Sequence, residues 1–242
     1  MKIYQASLLL FLFSFILSST SVDVTEPSVS ELSALRKEAL KYHNILRAKH
    51  KDTPSAELNE DLNDFAQNHC VSLAESGYLQ HSSSSERTNI GKLSGYSGEN
   101  LFWSSRKSFD GLGQMASQNW YNEIDDYDFE ENNAINGATV GHFTQMVWKT
   151  SVKVGFGFAY SNKGTFVCAN YYPGGNVNVP GNYKYYVMPL KTDSETSEET
   201  GENNDDYETG SDASKNNKDE IILESSGRLN LGVFMLIIIL LL

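Results

Sequence analysis

The stretch Val154–Tyr172, VGFGFAYSNKGTFVCANYY, decides the fold class. Val154, Phe156, Phe158 and Tyr160 alternate with Gly155, Gly157 and Ala159, the period of two that a strand imposes. Ser161-Asn162-Lys163-Gly164 has turn chemistry, and Thr165–Tyr172 returns as the partner strand, closed by Pro173-Gly174-Gly175. Small residues along one face of a strand let a helix pack close, while the aromatic face needs a cover of its own. The expectation is a layered α/β arrangement.

The helices that such layers need stand upstream. Glu31–His50 places Leu32, Leu35, Ala39, Tyr42 and Leu46 at three-and-four spacing. After Pro54, Asn59 is a candidate N-cap for a second helix. Leu62, Phe65, Ala66, His69, Leu73 and Ala74 share one face of it, and Gly77 suits its stop. Ser82–Glu99 reads as a loop rich in Ser, Gly and Asn. Leu112–Ile124 is a third helical pattern through Met115, Trp120 and Ile124, broken by the Asp125-Asp126-Tyr127-Asp128 stretch. Tyr183–Leu190, YKYYVMPL, reads as a last strand.

The two ends of the 242-residue chain are apolar. A basic start, a run from Ala6 to Leu17 that is almost wholly aliphatic or phenylalanine, and the small residues Ser18–Ser21 have the layout of a secretory signal peptide, expected over 1–21. Its run is shorter than the ~20 residues that a membrane anchor needs. At the other end Ser225, Ser226 and Gly227 precede LNLGVFMLIIILLL, 14 residues that close the chain. That pattern is a GPI-anchor signal over 225–242, with Ser225 as the candidate lipid-anchor residue. Its polar spacer, Arg228–Asn230, is short, and a single-span tail anchor is the alternative.

Thr192–Glu220 carries eleven acidic residues and two lysines, a net charge of −9 within the chain's −12. That stretch has one tyrosine and no other large apolar side chain, and 192–224 is expected to be a disordered acidic stalk. One domain remains, 27–191, long enough for a real core. No Lys/Arg cluster with interleaved aromatics points to nucleic acid. No Asn-x-Ser/Thr acceptor for N-glycosylation is present.

Four separated motifs occur in order: His43-Asn44 with Arg47, GENL at Gly98–Leu101, GHFTQMVWKT at Gly141–Thr150, and FVCANYYPGGNV from Phe166. Together they resemble the CAP superfamily of cysteine-rich secretory, antigen 5 and pathogenesis-related 1 proteins. The wording is nearest its Golgi-associated, pathogenesis-related-like branch. The resemblance implies an α-β-α sandwich, with a central antiparallel sheet flanked by helices. It also implies a cleft tetrad of two histidines and two glutamates. By motif these are His81, Glu99, Glu123 and His142, with Gln145 lining the cleft. His142 would then face the cleft while Phe143, Met146 and Trp148 anchor the same segment to the core.

Ala169 stands where the family usually has a cysteine, and Cys168 lies one residue earlier, on the opposite side of a strand. The only cysteines, Cys70 and Cys168, are a disulfide candidate in an oxidising compartment; two buried free thiols are the alternative.

Three behaviours are open to such a tetrad. It could bind a divalent metal, zinc above all, weakly through His81 and His142, since no local ligand spacing reinforces the site. It could work as an acid–base pair, giving a metal-dependent or Ser/Thr hydrolase. Thr144, Ser82 and Ser83 are then nucleophile candidates by proximity only, and no catalytic residue is assigned. It could simply pair buried charges to hold loops. Tyr121, Tyr127, Phe129, Tyr171, Tyr172, Tyr183, Tyr185 and Tyr186 supply aromatic surface, and the resemblance implies binding of sterols or fatty acids. The expected function is therefore an extracellular, membrane-tethered lipid- or partner-binding module, more a binder than an enzyme, with no required cofactor. A surface interaction protein with a vestigial cleft, immune-modulating or adhesive, is the alternative.

Overall fold

The structure, a computed structural model, describes residues 22–192. The expected signal peptide, the stalk beyond Thr192 and the anchor signal lie outside the described residues. Among the described residues no helix is long and apolar enough to cross a membrane.

Helix α1 spans Val29–Arg47 and opens on a capping box, in which the Ser28 hydroxyl and the Glu31 side chain exchange bonds with each other's backbone N–H. Helix α2 spans Glu60–Ser76. Asn59 caps it by accepting from the Leu62 N–H, and Gly77 ends it in the left-handed region at φ 78°. Helix α3 is shorter than its sequence pattern, Leu112–Tyr121, because Asn122–Asp126 tighten into a 3-10 turn.

The main sheet has the order β1-β5-β6-β2. Strands β5 (Lys153–Ser161) and β6 (Gly164–Tyr172) form the expected hairpin, in register through Phe156 opposite Ala169 and Gly157 opposite Cys168. Strand β2, Gly98–Ser104, pairs antiparallel with β6. It begins inside the stretch that reads as loop. Strand β1 is only Glu57–Leu58, parallel to β5. A two-residue pair, β3 (Tyr127–Asp128) and β4 (Asn133–Ala134), forms a separate hairpin.

Because β1 is so short, most of one edge of β5 has no strand beside it. Side chains close that edge. Asn63 Oδ1 accepts the Phe156 N–H and Gln67 Oε1 accepts the Phe158 N–H, each at 3.0 Å. In return Arg36 Nε and Gln67 Nε2 donate to the carbonyls of Phe156 and Phe158. Every backbone group so paired escapes the cost of a buried orphan, roughly 1–3 kcal/mol.

The two faces of the hairpin explain its alternation. A Cβ at Gly155 or Gly157 would collide with the α2 backbone at Leu62–Asn63 and Ala66–Gln67, so α2 lies directly on the glycine face. Val154, Phe156 and Phe158 turn the other way, into a core shared with α1 and α3 through Leu35, Ala39, Leu112 and Trp120. A fully buried phenylalanine contributes about 1.5–3 kcal/mol. The result is an α-β-α sandwich. Cys70 of α2 and Cys168 of β6 form a disulfide with their Cα atoms 5.7 Å apart. Ala169 faces the opposite side, in the larger core.

Tyr183–Leu190 is not a strand. Helix α5 occupies Asn182–Tyr186, and only an isolated bridge between His50 and Leu190 follows. Tyr183 and Tyr186 both pack on the Trp148 ring, at centroid distances of 5.5 and 4.8 Å. Two residues three apart reach one ring together only from a helical turn.

Candidate functional site

Strand β2 enters the sheet with Glu99 and Asn100, whose side chains face opposite sides. Each organises one histidine. On the first side Glu99 is buried and saturated. Its Oε1 accepts from His81 Nδ1 at 2.8 Å and from the Ser82 N–H at 3.0 Å. Its Oε2 accepts from the Ser82 hydroxyl at 2.6 Å and from Asn170 Nδ2 at 3.3 Å. Burial alone would raise the carboxyl, but the bonds from His81 and Ser82 outweigh it and hold the pKa at about 2.

On the second side the site is a helix terminus. Helix α4, Gly141–Met146, has no side-chain N-cap of its own. Glu123, carried by the 3-10 turn after α3, supplies one. Its Oε2 accepts the N–H groups of His142 and Phe143 at 2.9 and 3.1 Å, and its Oε1 bonds His142 Nδ1 at 2.6 Å. The His142 ring lies over Trp120. Asn100 ties this half to the sheet by donating to the His142 carbonyl at 2.9 Å and to the Tyr171 hydroxyl at 3.2 Å.

The four expected tetrad residues thus form two hydrogen-bonded pairs, His81–Glu99 and His142–Glu123, rather than one closed cluster. Among the described residues no three His, Cys, Asp or Glu side chains converge as a metal-binding group. In each pair a carboxylate holds Nδ1, and Nε2 has no hydrogen-bond partner among the described residues. This is the arrangement by which a carboxylate orients an imidazole ligand. Glu99 has no acceptor direction left, so on its side of the site His81 Nε2 is the atom that fits a zinc ion, and His142 Nε2 is its counterpart on the other side.

Gln145 lines a cavity of about 480 Å³ with His81, Glu99 and Gly98 on one wall and Gly175, Asn176 and Val177 on another. Its amide pins the far wall: Oε1 accepts the Gly175 N–H, and Nε2 donates to Ser151, which donates to the Pro173 carbonyl. No expected hydroxyl is placed for nucleophilic attack. Ser82 donates to Glu99, Ser83 to Glu86, and Thr144 to Asn176 and the carbonyls of Val140 and Gly141. None of the three bonds a histidine.

Several of the expected surface aromatics are structural. Tyr121, Tyr127 and Tyr171 are buried, and Phe129 packs against Tyr127 and Phe143. Tyr185 is exposed. Three polar or aromatic residues near the cavity escaped the sequence reading. His69 bonds the Gln80 carbonyl and lies 3.8 Å from Glu99, yet its position on α2 counts it among the core-facing residues. Arg87 and Tyr96 line the cavity from within the Ser-rich stretch that reads as loop.

A family model for the cysteine-rich secretory protein family, CAP, matches residues 40–172, which include all four of the site residues. The chain belongs to the CAP family. It is 40% identical over 155 residues to human Golgi-associated plant pathogenesis-related protein 1, an alignment covering 64% of this chain and 92% of that protein. It is 33% identical over 185 residues to horse cysteine-rich secretory protein 3, covering 71% of this chain and 73% of the relative. Against Protein PRY2 of Saccharomyces cerevisiae the identity is 37%, but only 39% of that longer protein is spanned. Among solved structures, venom allergen-like protein 4 of Schistosoma mansoni superposes with a TM-score of 0.52 over 66% of this chain and 97% of that one, at 20% identity. That likeness bears on the CAP fold alone.

Proposed function

We propose that this CAP protein is an extracellular binding module, tethered to a membrane through its acidic stalk and C-terminal anchor, and that its cleft takes a lipid or sterol. The observation that carries the reading is the cleft itself. About 480 Å³ of open space is bordered by Tyr96 and Val177 on an otherwise polar wall, within the size range of small-molecule sites. Beside it every candidate hydroxyl is engaged elsewhere, which favours holding a ligand over turning one over. The paired histidines add a weak divalent-metal site, His81 and His142 each presenting Nε2. A bound zinc would supply a Lewis acid or an anchor for a polar ligand group. Mass spectrometry of the secreted protein under native conditions tests the reading. It should carry a sterol or fatty-acid mass, and added zinc should bind the wild type but not His81→Ala or His142→Ala. A bare protein that takes up neither lipid nor zinc rejects it and leaves partner binding in its place.

A further inference from the structure

Arg87 is held in an unusual posture at the cleft. Its Nε donates to the Ser82 carbonyl at 3.2 Å, and its guanidinium carbon lies 5.1 Å from the centre of the Tyr96 ring. The backbone around it is equally fixed: its N–H donates to the Ser83 carbonyl, its carbonyl accepts the Ser97 N–H, and Thr88 bridges to Tyr96. The guanidinium is therefore stacked and aimed before any ligand arrives, and less entropy is lost when it binds. Neither terminal nitrogen has an acceptor among the described residues, and the residue lines the same cavity as His81 and Glu99.

The neighbouring carboxylates do not claim this cation. Glu99 spends both oxygens on four donors of its own and its side chain is wholly buried. Glu86, next in the chain, turns to the N–H and hydroxyl of Ser83. A stacked guanidinium with two free nitrogens is built for the paired oxygens of a carboxylate or phosphate. A free aqueous anion would need no apolar margin. Here Tyr96 and Val177 line the cavity, and Tyr96, Val177 and Val179 stay 40%, 45% and 51% exposed.

We infer that Arg87, seated on Tyr96, is the head-group subsite of the cleft and selects amphiphiles ending in a carboxylate or phosphate over uncharged ones. The inference rests on the lipid-binding reading and narrows it to one class of lipid. Oleate, oleyl alcohol and inorganic phosphate, each titrated against the secreted protein, test it. Oleate should bind the wild type at least about tenfold tighter than oleyl alcohol, the worth of a charged hydrogen-bonded pair. Arg87→Gln should erase that preference by bringing the affinity for oleate down to that for the alcohol. Tyr96→Leu, which keeps the charge and removes its seat, should reduce the preference in a protein whose unfolding curve confirms its fold. Equal affinity of the wild type for acid and alcohol overturns the head-group role and leaves lipid binding standing. Failure of both to bind overturns the lipid reading itself. Arg87-dependent binding of phosphate, without any for oleate, reassigns the site to free anions and overturns the amphiphile.

Discussion

The motif His43-Asn44 with Arg47 resembles a family signature, and the structure gives each residue a mechanical task. Asn44 pins Ala56 through two bonds, its Nδ2 to the carbonyl at 3.0 Å and its Oδ1 from the N–H at 2.8 Å. Arg47 buries its guanidinium and donates to the carbonyls of Pro54, Met146 and Trp148, the last two at the C-terminal end of α4. Burial lowers its pKa to about 10, which still leaves it charged at neutral pH. His43 sits in a directional chain. Asn100 Nδ2 donates to the Tyr171 hydroxyl, so that hydroxyl donates to His43 Nε2, and Nδ1–H is left to reach Ser117 and the Ala39 carbonyl. The chain has no vacancy for a second ring proton. Burial, with Arg47 nearby, pushes the His43 pKa down to about 3, and burial pushes His50 to about 4. A histidine kept neutral in the fold binds a proton only when unfolded, so below about pH 6.5 stability falls as pH falls. Between pH 5 and 6 these two residues should give a slope of about 2.4 kcal/mol per pH unit, measured from urea midpoints. His50→Gln should roughly halve it; an unchanged slope would contradict the buried neutral ring. Glu99 adds a loss of its own only below about pH 4.5, continuing toward 2.

At the scale of elements, what the sequence made legible follows locality. The caps of α2 and the β5–β6 hairpin depend on residues within a few positions of one another, and Asn59, Gly77 and the Gly155–Gly157 alternation announce them. The α5 turn has the composition of a strand because Tyr and Val favour strands, while the reason for the helix, the Trp148 ring, lies over thirty positions upstream. Strand β2 was partly hidden for a related cause: Glu99 and Asn100 are polar because they serve the site, so the stretch lacks an apolar alternation. Of the candidate site, the four tetrad positions were legible from motif wording. Their division into two pairs was not, since it depends on which carboxylate each ring meets across the sheet. Arg87 and Tyr96 gave no periodic signal at all. The glycine face carries the sharpest prediction here. Gly157→Val forces a branched side chain into the Ala66–Gln67 backbone and should cost about 3 kcal/mol or more, seen as a lowered urea midpoint with an unchanged m-value. A loss below about 1 kcal/mol would show that α2 can lift from the sheet.

Across the whole molecule, the same sheet that buries the core also presents the site. The Cys70–Cys168 disulfide fastens α2 to β6. The segment from α2 into the start of β2 delivers His81 and Glu99 to one wall of the cleft, and Gln145 fixes the Gly175 wall opposite. A second groove, bordered by Phe102, Met115 and Gln118 on the α3 side, offers an apolar ligand another place to lie. The central claim is that ligand enters the first and not the second. Backbone amide shifts of the isotopically labelled, secreted protein during an oleate titration decide between them. Saturating shifts at Tyr96, Gly98, Gln145, Asn176 and Val177, with Met115 and Gln118 unmoved, are the predicted result. Saturating shifts confined to Phe102, Met115 and Gln118 would contradict it.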